Sequence, residues 1–325
     1  MASEFGFSTT SDEVAAALAE KIQGKNVLVT GTSQTGIGFN TAKSIAKFAN
    51  LVIIVGYSAE RLGKTEEAIK AEVPNANIRA LRIDFSSLAD VRRAAAEVNA
   101  YAEPLHVVIH NAAAPVTVTP PTADGFDRQF ATNHIGPFLF TKLILDKLLA
   151  AKSAAYTPRV VYLSTNAVAI QAGLDVDGDF AAPRLPADAY DPFLVYRQTK
   201  AAAALMASEL DVRAGGKVRA FHLHPGAIYT NIFHLADSVV VDTFKQWGMM
   251  DAEGQPQGNT WKSFEQGAAT TLVAAFDPRL EENGGSYIED CRIANEKLSP
   301  FYVDKDNGRK LWAATERLIG EEFTF

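Results

Sequence analysis

Short apolar runs alternate with longer amphipathic stretches along almost the whole chain. The runs are Asn26–Thr30, Leu51–Val55, Ile78–Ile83, His106–His110, Arg159–Ser164, Lys217–His222 and a weaker one near Gly285–Glu289. Rich in Val and Ile and scarcely interrupted by polar residues, they suit strands buried on both faces of a parallel sheet. Between them, stretches such as Glu60–Val73 and Leu88–Tyr101 place Ala, Leu and Val at helical spacing among charges. The alternation predicts right-handed βαβ crossovers. The expected fold is α/β, with a doubly wound parallel sheet of about seven strands and helices on both faces.

No Gly/Ser-rich or Pro-rich linker divides the chain, so residues 25–325 read as a single domain. Residues 1–24 form an extension in which Ser11-Asp12-Glu13 predicts a helix start before Val14–Ile22. Two long irregular segments, 171–195 and 226–262, hold Phe180, Tyr190, Phe193, Phe233, Trp247, Met249, Met250 and Trp261. Loops of this length in a compact domain are commonly functional, and their aromatic content predicts lids over a large apolar substrate. An oligomer interface or plain core would show the same composition.

Charge and cysteine content narrow the classes of function. There are 31 Lys and Arg against 38 Asp and Glu, a net charge of −7, with no basic cluster. Such a chain is poorly suited to gripping nucleic acid or anionic lipid. The single cysteine, Cys291, excludes intrachain disulfides and multi-cysteine metal sites, and six dispersed His residues show no zinc spacing, so no metal is expected. No apolar run approaches a membrane span, and MASEFGFSTTSDE lacks both parts of a signal peptide. A cytoplasmic protein is expected, and a homo-oligomer stays open.

The first apolar run leads into Thr30-Gly31-Thr32-Ser33-Gln34-Thr35-Gly36-Ile37-Gly38, followed by a helical pattern. Glycines here allow a tight turn and close backbone approach, and a helix N-terminus offers N–H groups and a positive dipole to a pyrophosphate. Read alone, the segment fits either a dinucleotide site or a plain strand-to-helix turn. A second signal is Tyr196-Arg197-Gln198-Thr199-Lys200, which opens a helical pattern continuing through Ala201–Leu210. Residues four apart share a helix face, and a neighbouring ammonium lowers the pKa of a phenol, making it a usable acid or base.

These two signals belong to a longer series. In order stand Thr30-Gly31 to Gly38, Asp84, Asn111-Ala112-Ala113, Asn133, a hydroxyl closing the Arg159–Ser164 run, Tyr196 with Lys200, and Pro225-Gly226 with Thr230. The series resembles the short-chain dehydrogenase/reductase family, whose fold is the Rossmann fold. Its His222-Leu223-His224-Pro225-Gly226 and Glu265-Gln266-Gly267-Ala268 segments look most like the retinol-dehydrogenase and WW-domain-oxidoreductase branch. The resemblance implies that Tyr196 donates a proton to the substrate oxygen. Lys200 would lower its pKa and bond the nicotinamide ribose, Asn133 would hold a relay water, and Thr165 or Ser164 would polarise the carbonyl. Gly31, Ser33, Gln34, Thr35, Gly36, Ile37 and Gly38 would cradle the pyrophosphate, with Asp84 and Phe85 at the adenine. Asn111, Ala112 and Ala113 would lie beside the adenosine ribose, and Pro225, Gly226, Ile228 and Thr230 at the nicotinamide end. As residues alone, Asp84 also suits a cap of the helix near Ser86, Asn111 a turn and Thr230 a helix cap.

The pattern departs from the family in four places. Four residues, Thr32 to Thr35, separate the first two glycines where the family has three. The Asn-Ala-Gly run becomes Asn111-Ala112-Ala113-Ala114. Thr165 aligns with the catalytic serine, with Ser164 one residue earlier. Thr165 and Tyr196 stand 31 positions apart, longer than the family's usual gap.

The resemblance implies hydride exchange between a nicotinamide cofactor and a carbonyl or alcohol substrate. NADP(H) is expected over NAD(H): the second run ends in Val55-Gly56-Tyr57-Ser58 without an acid for a ribose 2′-OH, and Arg61 and Lys64 follow. Two rivals remain at this level. One is a non-catalytic NADP(H)-binding sensor or partner-binding protein, for which Tyr196, Lys200 and Asn133 would be idle. The other is a sugar-nucleotide-type epimerase or dehydratase, whose middle loop glycine is replaced here by Gln34. Finally, the pattern around Asn133-His134-Ile135-Gly136-Pro137 predicts one long helix kinked at Pro137, which has no N–H for the Asn133 carbonyl.

Overall fold

A computed structural model of the chain describes residues 5–166, 173–177, 179–182, 190–230 and 238–325. Eight strands form one sheet: β1 (Asn26–Thr30), β2 (Leu51–Gly56), β3 (Ile78–Arg82), β4 (Val107–His110), β5 (Arg159–Leu163), β6 (Arg219–His224), β7 (Tyr287–Glu289) and β8 (Arg292–Ile293). Their order is β3-β2-β1-β4-β5-β6-β7-β8. All neighbours are parallel except β7 and β8, where Ile288 faces Ile293 across an antiparallel turn. The α/β doubly wound expectation holds, with β8 added as a two-residue edge beyond the seven expected strands.

Strand alternation feeds both helical layers. Leu28, Ile53, Val55, Val108 and Val160 face one core, with the Leu88–Ala100, Gly136–Leu143, Pro192–Ala214 and Lys305–Ile319 helices. Val27, Val29, Val52, Ile54 and Ile109 face the other, with the Ile37–Ala46 and Phe264–Phe276 helices. Burial on both faces explains why these strands read as continuous apolar runs rather than alternating ones.

Several boundaries differ from the sequence expectation, two of them for identifiable local reasons. β6 begins at Arg219 because Gly215 and Gly216 both adopt positive φ and the Lys217 N–H closes on the Ala214 carbonyl, so the turn consumes 215–218. The helix expected to open at Tyr196 begins at Pro192, because Asp191 Oδ1 caps it by accepting from the N–H groups of Phe193 and Leu194. It is 23 residues long, which places Tyr196 and Lys200 in regular, rigid helix.

In the extension, Thr10 rather than Ser11 caps the Ser11–Ala17 helix, forming a reciprocal capping box with Glu13. Val14, Ala15 and Ile22 are fully buried in the core shared with the Ile37–Ala46 and Phe264–Phe276 helices. Asp12 is fixed by Ser44 at 2.7 Å and Lys47 at 2.8 Å. The segment is thus built into the flank of the sheet.

Candidate active site

From β1 the chain builds outward to β2 and β3, then returns across the sheet to β4. At this switch point the carboxyl ends of β1 and β4 open into a cleft of about 650 Å³. Open α/β sheets bind ligands at this place.

The glycines explain how the cleft floor closes. Gly31 has φ +72°, and a Cβ there would stand 2.7 Å from the Ala112 Cα. A Cβ on Gly38 would stand 2.4 Å from both Asn111 Nδ2 and the Gly31 carbonyl oxygen. The absent side chains let the loops after β1 and β4 touch. Asn111 then staples them, its Nδ2 donating to the carbonyls of Thr30 (2.8 Å) and Gly31 (3.0 Å). The Asn111 and Ala112 N–H groups both donate to Thr30 Oγ1. Gly36 opens the ten-residue Ile37–Ala46 helix without a side-chain cap, and both Gly36 and Ile37 line the cleft. This leaves the first N–H groups of that helix for another acceptor.

The longer Thr32–Thr35 loop leans on the neighbouring Ala59–Glu72 helix. Gln34 Nε2 donates to the Lys64 carbonyl at 2.8 Å and Thr65 Oγ1 to the Thr32 carbonyl at 3.0 Å. Ser33 and Thr35 therefore line the cleft, whereas Gln34 and Gly38 do not.

At one end the cleft is walled by Tyr57, Ser58, Arg61, Asp84, Phe85 and Ser86. Ser58 caps the Ala59–Glu72 helix. The Arg61 guanidinium lies 5.8 Å from the Tyr57 ring centroid, while Lys64 is paired to Glu60 at 2.5 Å. Asp84 Oδ1 accepts from the Ser86 N–H (2.9 Å) and hydroxyl (2.7 Å). It therefore shapes the turn before the Leu88–Ala100 helix, which Ser87 caps, and lines the cleft as well.

At the other end stand Ala112, Ala113, Ser164, Tyr196, Lys200, Pro225 and Thr230. Lys200 Nζ donates to the Leu163 carbonyl at 2.8 Å and lies 5.6 Å from the Tyr196 ring centroid. Ser164 is buried and donates its hydroxyl to the Lys200 carbonyl at 2.8 Å, tying the end of β5 to the helix. Thr165 donates to Asn166 at a long 3.4 Å. Thr165, Gly226 and Ile228 fall outside the cleft lining. Gly226, at φ +103°, lies against the buried Lys262 side chain, and Ile228 packs where a Cβ on Gly267 would fall.

Electrostatics at this end differ from the simple expectation of a Lys-lowered phenol. Burial pushes the Tyr196 phenol up to about 12 and the Lys200 ammonium down to about 8. The lysine is engaged with the neutral Leu163 carbonyl, and burial sets the direction for both groups. Tyr196 is consequently protonated throughout the neutral range.

Asn133 lies behind the cleft in a π-helical turn, Ala131–Ile135, in which the Gly136 N–H reaches the Ala131 carbonyl. The helix therefore widens by one residue immediately before Pro137, where a kink was expected. Asn133 Oδ1 accepts from the Ala114 N–H at 2.8 Å and Nδ2 donates to Thr199 Oγ1 at 2.9 Å. Gly136 allows the approach of Phe85, whose carbonyl would lie 2.4 Å from an added Cβ.

Sequence reasoning missed Arg128 and Thr132, which also line the cleft; Arg128 Nη1 donates to Ser86 Oγ at 3.1 Å. Their spacing of four, ending one residue before Asn133, was the available signal.

The expected lids separate into two groups. Phe180 is core, 5.4 Å from Phe130, and Met250 is buried; Tyr190 donates to Asp127 at 2.8 Å. Phe233 lies outside the described residues. The other aromatics form a wall beside the proton-donor candidate. Phe193 stacks on Tyr196 (6.4 Å, 8°) and meets Phe244 at 6.1 Å and Trp247 at 6.2 Å. Phe244 in turn meets Trp261 at 6.0 Å. Phe244 comes from a helix, Ser238–Gln246, inside the segment expected to be irregular.

The short chain dehydrogenase family model matches residues 25–167. Mouse polyprenol dehydrogenase is 32% identical over 91% of this chain and 84% of its own length. The chain belongs to the short-chain dehydrogenase/reductase family. Zebrafish WW domain-containing oxidoreductase is 31% identical over 94% of this chain and 71% of its own. Brassica napus short-chain dehydrogenase TIC 32 A, chloroplastic, is 30% identical over 98% and 95%. Among solved structures, the Pseudomonas aeruginosa RhlG/NADP active-site complex shares the fold, with TM-score 0.61, 21% identity and coverage of 84% of this chain and 96% of that one. As a member of this family the chain is an oxidoreductase of NAD(P)(H) type. Among the described residues no helix is long and apolar enough to cross a membrane.

Proposed function

We propose that the chain is an NADP(H)-dependent oxidoreductase that interconverts a carbonyl and an alcohol on a large hydrophobic substrate, with Tyr196 as the acid/base. The observation that carries this reading is one continuous cleft. It runs from Ser58 and Arg61, past the Gly31–Ile37 loop, to Tyr196 and Lys200.

The residues present fit a dinucleotide. Side chains at Gly31 and Gly38 would force the cleft floor apart, and the uncapped start of the Ile37–Ala46 helix suits a pyrophosphate. Tyr57 and Ser58 offer no carboxylate to repel a 2′-phosphate, and Arg61 has no carboxylate partner among the described residues, which supports NADP(H) over NAD(H). Asp84, Phe85, Asn111, Ala112 and Ala113 would hold the adenosine half, and Pro225 and Thr230 the nicotinamide half. Lys200 would bond the nicotinamide ribose. The bound cofactor supplies or accepts the hydride.

Tyr196, neutral below about 12, stands ready to donate its proton to a carbonyl oxygen. Ser164 lines the cleft but gives its hydroxyl hydrogen to the Lys200 carbonyl, and Thr165 lies outside the lining, so the polarising hydroxyl is assigned to Thr165 with Ser164 as the alternative. Asn133, linked to Thr199 one position before Lys200, fixes the π turn beside this helix and would hold the relay water. The wall of Phe193, Phe244, Trp247 and Trp261 supports a large apolar substrate lying against the face of Tyr196. The acidic net charge supports a small-molecule substrate, and a cytoplasmic location belongs to the same reading.

The test is direct. Both reduced cofactors are titrated by fluorescence, and cofactor oxidation is then screened over ketones, aldehydes and quinones of graded size. Tighter NADPH than NADH binding, with kcat/KM rising with apolar bulk, supports the reading. Equal or tighter NADH binding removes the cofactor preference, small polar ketones outcompeting bulky ones removes the substrate class, and absence of cofactor oxidation removes the enzyme.

A further inference from the structure

Beside the apolar wall stands a cation that the proposed reaction does not use. Arg197 follows Tyr196 on the Pro192–Ala214 helix, and its guanidinium lies 5.0 Å from the Phe193 ring centroid. The same Phe193 ring stacks on Tyr196 and abuts Phe244 and Trp247. Positions 193, 196, 197 and 200 form one stripe of the helix at spacings of three and four, so Arg197 borders the face that carries Tyr196 and Lys200.

Among the described residues Arg197 lacks the carboxylate partner that several other arginines have. Arg79, Arg159 and Arg213 each meet a carboxylate within 3.1 Å. No carboxylate among the described residues lies within ion-pair distance of Arg197, and its Nε is buried without a hydrogen-bond acceptor. Asp191, the nearest acid along the chain, accepts from the N–H groups of Phe193 and Leu194. A partly desolvated guanidinium without an anion is costly, and its planar fork is pre-shaped for a carboxylate. Lying over the Phe193 ring, the guanidinium is held beside the apolar wall.

We infer that Arg197 is a specificity-determining residue that binds a carboxylate on the substrate, so the preferred substrate class is an apolar, aromatic-length carbonyl compound ending in a carboxylate. This deepens the substrate part of the proposed function and rests on the wall beside Tyr196 being where substrate lies. Phe193 sets the spacing: the carboxylate sits beside the ring that contacts Tyr196, while the carbonyl reaches the phenol.

Binding and turnover are measured separately so that the two readings can fail separately. With NADP⁺ present, biphenyl-4-carboxylate and its methyl ester are titrated by tryptophan fluorescence against the wild type, Arg197→Gln and Arg197→Lys. The expected result is at least about tenfold tighter binding of the acid than of the ester, weakened by 0.5 M salt (~0.5 M, where screening is strong). Arg197→Gln should abolish the acid preference and Arg197→Lys restore part of it. In turnover, 4′-formylbiphenyl-4-carboxylate should exceed its methyl ester in kcat/KM through KM rather than kcat. Equal binding of acid and ester by the wild type, or an acid preference that survives Arg197→Gln, overturns the inference even if the ester is reduced. Arg197-dependent acid binding without any NADPH oxidation sustains the inference and counts against the proposed function.

Discussion

Replacing Lys200 by Met removes a buried ammonium while keeping an unbranched side chain of similar reach. Burial takes the lysine from 10.5 to about 8. At about 1.4 kcal/mol per unit, holding the charge in the fold costs about 3 kcal/mol. The sign follows from proton counts. Below about pH 8 the lysine is charged in both states and the folded chain bears the whole cost. Between about 8 and 10.5 the unfolded chain binds more protons than the folded one, so stability rises with pH. The Met variant has no such group. Loss of the bond to the Leu163 carbonyl offsets part of the gain at every pH, because a neutral amine also donates. Urea unfolding of both proteins at a series of pH values from neutral to pH 10 isolates the difference. Wild type should gain about 2–3 kcal/mol on Lys200→Met across that range. A difference that stays flat with pH would refute a desolvated Lys200, and a difference moving the other way would place an anion beside it.

Four further outcomes are expected. Reductive turnover at saturating cofactor should fall as pH rises through about 8, because Lys200 there loses the positive charge that would steady the tyrosinate left when Tyr196 gives up its proton; a plateau to about pH 10 contradicts that dependence. Thr165→Ala should lower kcat by about tenfold or more, and Ser164→Ala, which removes only the tie to the Lys200 carbonyl, should lower it less; the reverse order assigns the polarising hydroxyl to Ser164. Arg61→Ala should weaken NADPH binding about tenfold with little change for NADH, read by fluorescence titration, and equal losses would remove Arg61 from the 2′-phosphate. Pro137→Ala supplies an N–H that competes for the Asn133 carbonyl, and should lower turnover and alter its pH profile; wild-type behaviour in a folded, NADPH-binding variant excludes a relay role.

The sheet was legible because its strands are buried on both faces, so Val27 to Val29 and Leu51 to Val55 stand out as unbroken runs. Element ends were less so. Asp191 moves the helix start four positions before Tyr196, and two positive-φ glycines delay β6, effects of single caps and turns that periodicity does not register. Most cleft residues were found by motif order, including Gly31, Asp84, Asn111, Tyr196 and Lys200. Charge states were not. A Lys four residues from a Tyr predicts a lowered phenol in water, whereas burial reverses the direction for Tyr196. The aromatic segments were similarly ambiguous, since Phe180 and Phe193 look alike in sequence and only packing assigns one to the core and the other to the wall.

Tyr196→Phe tests the central claim most directly. The hydroxyl is removed while the ring stacked on Phe193 is kept. With a carbonyl substrate and NADPH in single-turnover stopped flow, the variant should bind NADPH within about twofold of wild type and oxidise it at least about a thousandfold more slowly, because only the proton donor is lost. Wild-type oxidation rates in a variant that binds NADPH normally would contradict the account.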